Sequence, residues 1–313
     1  MDFSIVITTH NRLDLLKRAI SSALEQTIPC EVIVVDNAST DGTEDYVKGL
    51  GDRIIYHRNS TNTHHAGAVN AGVKLATGDW VKFVDDDDYL ATQCLAVMKA
   101  VITDHPEAVI CSCQAIQVDT QGRELSCTAK TGPGEAFFVP QEAIHYGMLL
   151  DQVPFGTPIQ VAVKREAFLQ TGGWDLSMTN SVEIDSWIRL ADYGNALFIN
   201  KCLAYRTVWP GGNDQKIDLA RRKETNFLIK QRIYERISAN YRDQVPPLTA
   251  IDNYLDLHWG LIALRQGKWK TAASLCFPAI FSPPAWGLLK QARTLRGMAS
   301  ESVLIPKVPV IPA

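Results

Sequence analysis

The chain has 313 residues, of which 46% are hydrophobic, and a formal net charge of -3 at pH 7. This length fits one large domain with an extension or two smaller domains, and the composition is ordinary for a globular protein with a packed core. A slightly acidic chain differs from a general nucleic-acid-binding protein, which usually carries a strongly basic face, so no nucleic-acid partner is expected.

The seven cysteines are an odd number, without the paired spacing of a zinc site or the density of a disulfide framework. A reducing cytoplasm is the simplest setting for them. The apolar stretch near the N-terminus is short and has no basic leader, so it predicts a strand and not a signal peptide. No run reaches the roughly 18 apolar residues of a membrane span. We therefore expect a cytoplasmic protein, soluble or peripheral at the inner face of a membrane.

Short β-rich runs alternate with helix-period segments before residue 104, which predicts parallel strands joined by crossover helices. The predicted strands are 3–8, 32–35, 53–57 and 80–84, with helices at about 16–24 and 66–76 and a short helix after residue 42. Polar loops follow the four strand ends at 9–12, 36–41, 59–65 and 85–88. Ligands of open parallel sheets bind at the carboxyl ends of the strands, so these loops predict the ligand site.

The pattern is less regular from about 105 to 210, a half that we expect to shape the site of a second substrate. It contains strand candidates at 108–118 and 197–209 and helix candidates at 141–150 and 183–193. Helices are predicted beyond residue 214, at 218–240, at 249–266 and after Ser282-Pro283-Pro284. The sequence thus predicts a domain at 1–213, with halves at 1–104 and 105–213, and a helical extension at 214–313.

Four adjacent aspartates, Asp85 to Asp88, follow the apolar run Val81–Val84. Carboxylates this close repel one another and raise one another's pKa, and a divalent cation relieves that cost. Carboxylate oxygens suit Mg²⁺ or Mn²⁺, and Mg²⁺ usually lies between one or two carboxylates and substrate phosphates. The alternative is a solvated acidic loop that caps the next helix, because Asp is common at helix starts.

Six segments, in their order and spacing, closely resemble the family 2 glycosyltransferases of GT-A fold. They are Ile5–Arg12, Val34–Gly42, Ala68–Gly72, Gly78–Asp88 (with Gly78-Asp79-Trp80 and the four aspartates), Gly172–Asp175 and Glu183–Leu190. The resemblance covers roughly residues 3–210. It implies an α/β, Rossmann-like fold with a mostly parallel central sheet flanked by helices, to which the C-terminal helices are an extension.

The resemblance also implies a donor site for a nucleotide-diphosphate sugar. The residues implied in nucleotide-sugar binding are Thr9, His10, Arg12, Asp36, Asn70, Asp85 and Asp86. Asp36 would accept a hydrogen bond from the base, which favours uracil or thymine and hence a UDP-sugar. Asp85 would hold the ribose, and Asp87, with Asp85, the Mn²⁺ or Mg²⁺ of a DXD motif. His10 has an alternative role as a cap of the following helix.

The acidic motif before Trp187 implies the catalytic base. The family's carboxylate lies four residues before this Trp, which is Glu183 here, and Asp185 is the second candidate. An inverting displacement needs such a base to take the proton of the acceptor hydroxyl. The alternative is an acidic pair in a first helical turn, where it complements the helix dipole.

Three positions depart from the family pattern. One is Glu183, where the family more usually has Asp. Val69 stands where many members have Arg, so a basic contact to the nucleotide would come from elsewhere, with His64 and His65 as candidates. For the two histidines a solvated loop is favoured over a metal site, because no Cys or carboxylate accompanies them at ligand spacing. Trp209-Pro210-Gly211 stands where members often have His before Pro-Gly, which leaves a third ligand on the metal side open.

The stretch 257–300 carries six cations and no Asp or Glu, with Trp259, Trp269 and Trp286 interleaved. Such a composition suits helices that rest on an anionic membrane surface. It equally suits an ordinary helical hairpin packed on the catalytic domain, and the sequence leaves both interpretations open.

The leading hypothesis is an inverting glycosyltransferase of polysaccharide biosynthesis that acts on a saccharide or lipid-linked saccharide. One alternative is a sugar nucleotidyltransferase, which would need a Gly-rich, basic phosphate loop after the first strand; Thr8-Thr9-His10-Asn11 is not such a loop. The other is a non-catalytic binding protein on the same fold.

Overall fold

The computed structural model describes residues 1–209 and 218–297. Within these residues the contacts define two units, one of residues 1–141 and 155–209 and the other of residues 142–154 and 218–297. The predicted boundary between 213 and 214 and the chain after residue 297 lie outside the described residues. The first unit carries the sheet, and the second is helical.

The strands that the structure describes form one sheet. They are β1 (Phe3–Thr9), β2 (Glu31–Asp36), β3 (Ile55–Arg58), β4 (Trp80–Asp85), β5 (Tyr89–Leu90), β6 (Ala108–Val118), β7 (Glu124–Cys127), β8 (Ala136–Val139), β9 (Val161–Lys164) and β10 (Asn195–Thr207). Their order is β3-β2-β1-β4-β9-β6-β10-β5, with β7 beside β6 and β8 beside β10. Strands β1 to β4 are parallel, as are β6 and β10, whereas β9 joins β4 and β6 antiparallel.

The helices flank the sheet or form the second unit. They are α1 (Leu13–Leu24), α2 (Thr43–Lys48), α3 (His64–Leu75), α4 (Cys94–Thr103), α5 (Gln141–Leu149), α6 (Arg165–Gln170), α7 (Val182–Leu190), α8 (Leu219–Glu235), α9 (Ala239–Arg242), α10 (Leu248–Arg265), α11 (Trp269–Ala279) and α12 (Pro283–Gly297). Short 3₁₀ turns occupy Gly51–Arg53 and Pro158–Gln160. The predicted α/β class and the C-terminal helices are confirmed.

The first four strands and the helices between them follow the sequence pattern closely. Strands β1 and β2 are buried along their length except at Glu31, because helices cover both faces of the sheet. The predicted stripe of α1 is buried at Leu16, Ala19, Ile20 and Ala23. The third strand starts at Ile55, two residues later than predicted, because Gly51–Arg53 form the 3₁₀ turn.

Helix α3 packs very closely on the sheet at Gly72. A Cβ atom built there would lie 2.4 Å from Cγ1 of Val6 in β1, a distance that no real side chain tolerates. Glycine is therefore required by this approach of helix to strand. The contact fixes α3, and with it the polar residues at its N-terminal end, against the strands that carry the site.

Strands β7, β8 and β9 and helices α6 and α11 were not predicted. Each of these strands is only four residues long, too short for a periodic pattern to stand out. Strand β9 nevertheless closes the gap between β4 and β6. The fully buried ammonium of Lys82 in β4 reinforces this junction by donating to the carbonyl oxygens of Ile159 and Val161.

The cysteines agree with the sequence-based prediction at two positions and differ from it at two others. Cys111 and Cys113 are buried on β6, as their spacing predicted. Cys127 and Cys202, however, are joined by a disulfide, which the sequence analysis did not anticipate. The two residues are 75 positions apart in the chain and meet only because β7 and β10 both pair with β6.

The second unit is held together by a buried and a partly buried lysine as well as by apolar contacts. The ammonium of Lys230 in α8 donates to the Leu149 carbonyl at 2.6 Å and to the Asp151 carboxylate at 2.6 Å, at the C-terminal end of α5. A cation there satisfies orphan carbonyls and complements the helix dipole. Lys223 similarly pairs with two acids of α10. None of the helices in the described ranges is long and apolar enough to cross a membrane.

Candidate active site

The four carboxylates of the acidic run, at the end of β4, differ in their exposure to solvent. The side chains of Asp85 and Asp87 are 29% and 15% exposed, whereas those of Asp86 and Asp88 are buried. A backbone bond from the Asp88 N–H to the Asp85 carbonyl, at 3.0 Å, closes the turn that produces this alternation. Two carboxylates of the run are thus accessible to a ligand, and two belong to the protein interior.

Asp88 connects the acidic run to β10. Its Oδ1 accepts the backbone N–H of Thr207 at 2.7 Å. Burial, with the charges of Asp85 and Asp87 added, raises the pKa of Asp88 well above its usual range. The contact joins residues that are 119 positions apart, so Asp88 holds the end of β10 next to the site.

Arg12 bridges the carboxylates of Asp86 and Asp87. Its Nη1 donates to Asp86 at 3.2 Å and to Asp87 at 3.0 Å, and Oγ1 of Thr9 donates to Asp86 at 2.9 Å. Burial raises the pKa of Asp86 to about 6 although the charge of Arg12 opposes this. The indole N–H of Trp209 completes the group by donating to Asp87 at 2.7 Å. Thr9, Arg12 and the acidic run therefore meet as predicted, whereas the contact of Trp209 was missed.

His65 is the partner of Asp85. Its Nε2 lies 2.8 Å from Oδ1 of Asp85, and its ring packs edge-on against Trp174 at 5.0 Å. Burial favours the neutral imidazole, but the Asp85 carboxylate outweighs it and, with a contribution from Glu183, raises the pKa of His65 to about 9. Of the two histidines proposed as basic substitutes, His65 is the one that contacts the acidic run.

Asp36 is fully buried at the end of β2. Its Oδ1 accepts the Ser39 N–H at 2.8 Å, and its Oδ2 accepts the Tyr56 hydroxyl and an Arg58 N–H, both at 2.7 Å. Burial alone would raise the pKa of Asp36, but these bonds and the Arg58 charge lower it overall. Asp36 therefore anchors β3 to β2. His10, by contrast, is exposed beside the site, and its backbone N–H points at Asp86.

Asn70 holds the loop that precedes α7. Its Nδ2 donates to the Trp174 carbonyl at 2.9 Å, and its Oδ1 accepts the Trp174 N–H at 2.8 Å. Gly173 has a φ of +80°, and a Cβ there would lie 2.5 Å from the Asn70 oxygen, so glycine is required. Both amide atoms of Asn70 thus bind the protein backbone.

Helix α7 presents the two acids of its first turn differently. Glu183 is half-buried, whereas Asp185 is 1% exposed and accepts the Arg189 Nε at 2.8 Å. The same guanidinium donates to the Thr171 carbonyl at 2.8 Å. Phe83 of β4 contacts both Trp174 and Trp187 at ring distances of 5.9 Å, which packs the helix under the acidic run.

The accessible carboxylates fit a hard divalent cation, although the protein alone does not form a complete ligand set. Among the described residues, no group of three or more His, Cys, Asp or Glu side chains is arranged to hold a metal ion. Asp85 and Asp87 offer the one or two carboxylates that Mg²⁺ uses when phosphates supply further oxygens. Trp209 is described, but the Pro210 and Gly211 of the departing motif lie outside the described residues.

The fold defines a GT-A protein. Residues 1–349 of S. aureus TarS match it with a TM-score of 0.62 at 17% identity, over 95% of this chain and 90% of that chain. The mannosyltransferase PcManGT from Pyrobaculum calidifontis, in complex with GDP-Man and Mn²⁺, matches with a TM-score of 0.56 at 21% identity, over 95% and 80%. At these identities the likeness concerns the fold.

The family follows from the sequence profile. That of Glycosyl transferase family 2 matches residues 4–172, and the chain belongs to this family. The Escherichia coli UDP-Glc:alpha-D-GlcNAc-diphosphoundecaprenol beta-1,3-glucosyltransferase WfaP is 40% identical over 91 residues, 28% of this chain and 36% of WfaP. The Salmonella typhimurium abequosyltransferase RfbV is 33% identical over 118 residues, 36% and 35% of the two chains. The match spans about a third of the length of these relatives.

Proposed function

We propose that the protein is an inverting glycosyltransferase that moves a sugar from a nucleotide-diphosphate sugar to a hydroxyl of a saccharide or lipid-linked saccharide. The observation that carries the proposal is the acidic run, in which Asp85 and Asp87 are partly exposed, with His65 between Asp85 and Trp174 of the loop that precedes α7. The name of WfaP, with a UDP-glucose donor and a diphosphoundecaprenol acceptor, supports a UDP-sugar and a lipid-linked acceptor.

On the donor side, Asp85 and Asp87 would hold Mg²⁺ or Mn²⁺, which stabilises the negative charge that develops on the departing diphosphate. Thr9 and Arg12 hold the acidic run in place by donating to the Asp86 carboxylate. The exposed side chain of His10 would lie against the base. Asp36 is the proposed acceptor of a base N–H; because its carboxylate is fully buried and accepts from Ser39, Tyr56 and Arg58, the base would reach it only if these neighbours move.

On the acceptor side, Glu183 is the proposed general base. It is partly accessible, whereas the carboxylate of Asp185 is buried and bound to Arg189, so Asp185 orients the helix in this proposal. Glu183 would accept the proton of the acceptor hydroxyl as that oxygen attacks the anomeric carbon from the face opposite the diphosphate. Asn70 contributes by positioning the Trp174 loop beside His65.

Glu183→Gln tests the base directly. We expect kcat to fall by about 10²–10⁴-fold, the usual contribution of a general base, with donor affinity retained. The matched control is Glu166→Gln, which removes the charge of an exposed acid in the first turn of α6. Normal transfer by Glu183→Gln, with donor binding intact by calorimetry, refutes the assignment.

The reaction type is tested by its products. Purified protein is first screened with UDP- and GDP-sugars and Mn²⁺ by thermal shift, because a true donor stabilises the fold by mass action. Turnover then releases one nucleoside diphosphate for each sugar transferred, whereas a nucleotidyltransferase releases pyrophosphate. If no nucleotide or nucleotide sugar shifts the melting temperature, the proposal fails.

A further inference from the structure

Helix α11 exposes large apolar side chains along one stripe. Trp269 is 70% exposed, Phe277 75% and Ile280 47%, and positions 269, 273, 277 and 280 recur at the spacing of one helix face. Phe281 follows at 79% exposure, with its ring 6.4 Å from that of Phe277. The exposed surface that these residues form is defined here as the α11 face.

The packed side of α11 carries mainly small residues. Ala272 packs against Leu219 and Ala263, and Ala279 packs against Leu257, while the partly buried Leu275 and Cys276 approach Gly260 of α10. A surface helix ordinarily turns its large apolar residues towards the core. Helix α11 instead exposes Trp269 and Phe277, its two largest apolar side chains. An exposed apolar patch of this kind marks a surface that binds something.

Cations lie at one end of the α11 face. Arg265, Lys268 and Lys270 are exposed at its N-terminal end, and the stretch 257–300 contains six cations and no acid. Trp286 of α12 extends the aromatic surface, because its indole N–H donates to the Ile280 carbonyl at 2.9 Å. Exposed aromatic residues together with one-signed positive charge are typical of helices that lie in the interface of an anionic bilayer.

The structure changes the set of aromatic residues expected from the sequence. Trp259 is partly buried, packs against the cluster around Leu219 and Ala263, and lies under the guanidinium of Arg222 at 5.8 Å. It belongs to the interior of the helical unit. Phe277 and Phe281, which lie outside the set of tryptophans in this stretch, take its place on the surface.

We propose that the α11 face is a docking surface for an anionic lipid bilayer, with Trp269, Phe277 and Phe281 inserted at the interface and Lys268 and Lys270 over the headgroups. The inference goes beyond the proposed transfer reaction. It concerns residues of the helical unit only, and it holds or fails independently of the donor and its cation.

The test is co-sedimentation of the full chain with vesicles of phosphatidylcholine alone or with one third phosphatidylglycerol. We expect binding to the anionic vesicles only, weakened by raising the salt concentration. Phe277→Ser/Phe281→Ser should lower the partition coefficient by at least about tenfold, because each ring loses a buried apolar contact. Lys268→Gln/Lys270→Gln should lower it by about fivefold for each cation.

The matched control is Leu125→Ser/Leu176→Ser, which removes two apolar side chains that are 58% and 70% exposed in the other unit. It should bind vesicles like the unchanged protein. Because all these side chains are exposed, the variants are expected to fold, and circular dichroism melting checks this; if the Phe pair misfolds, the Lys pair decides.

Three results overturn the proposal: equal binding to neutral and anionic vesicles, equal loss in the control pair, or no vesicle binding at all. If vesicles do not bind but the protein forms a dimer that Phe277→Ser/Phe281→Ser abolishes, the face joins two copies of the chain instead. A thermal shift with nucleotide sugar, measured without vesicles, reports separately on the proposed function.

Discussion

Replacing Asp36 by Asn tests the structural role that its buried hydrogen bonds give this residue. Asn keeps one oxygen for the Ser39 N–H, but it places an NH₂ group where Tyr56 and Arg58 both donate to Oδ2. The NH₂ group is itself a hydrogen-bond donor, so the Tyr56 hydroxyl and the Arg58 N–H would no longer find an acceptor there. Because Asp36 is fully buried, water cannot replace the lost acceptor.

The expected cost is the loss of at least one hydrogen bond to a charged group, about 1.5–3 kcal/mol of the free energy of unfolding. It also depends on pH. The folded protein lowers the pKa of Asp36, so its contribution is present above the ordinary pKa of Asp and is lost as the pH falls through the lowered folded value. The difference between Asp36→Asn and the unchanged protein should therefore shrink in acid.

Equilibrium urea unfolding at pH 7 and at decreasing pH measures this difference. Tyr56→Phe, which removes only the hydroxyl, should cost about 1 kcal/mol, and the double variant should cost less than the sum because the two residues share a bond. Glu44→Gln is the control for Arg58, since it removes an exposed partner at 3.5 Å and should change little. A cost below about 1 kcal/mol for Asp36→Asn, or a difference that grows in acid, refutes this account.

Three further predictions concern the site and its support. Asp87→Asn should abolish the Mn²⁺-dependent part of the thermal shift with a nucleotide sugar, and an unchanged shift would exclude Asp87 as a cation ligand. Gly72→Ala should destabilise the protein by about 1–3 kcal/mol through overpacking, whereas Gly287→Ala, with no atom near its Cβ, should leave stability unchanged or raise it, as urea unfolding will show. Asn70→Ala should lower kcat more than donor affinity, because it frees the Trp174 loop; an equal loss in a calorimetric donor titration would contradict this.

The sequence predicted the elements whose pattern is local. Apolar runs located β1, β2 and β4, and helical spacing located α1 and α3, because burial on one or both faces leaves a period in the chain. The short strand β9 was missed because its position between β4 and β6 is set by tertiary pairing, not by its four residues.

The sequence motifs identified which residues gather at the candidate site, but not which of them contact one another. Motif resemblance named the acids and Arg12, yet the pairing of His65 with Asp85 and of Trp209 with Asp87 joins residues far apart in the chain. Asn70 shows the same limit. Its motif suggested a ligand contact, and the fold turns both of its amide atoms to the backbone of Trp174. Such bonds depend on the finished sheet order, which no single-sequence pattern encodes.

Strand β9 also decides whether the two halves of the first unit are separable. A chain cut after residue 104 would keep β1 to β4 but lose β9, and one side of β4 would become an unpaired edge of a mostly apolar strand. Lys82 would keep its charge and lose both carbonyl acceptors. Unpaired apolar edges template aggregation, so the half before residue 104 is expected to precipitate when expressed alone. Exchanging halves between relatives would therefore require residues 155–164 to travel with the first half.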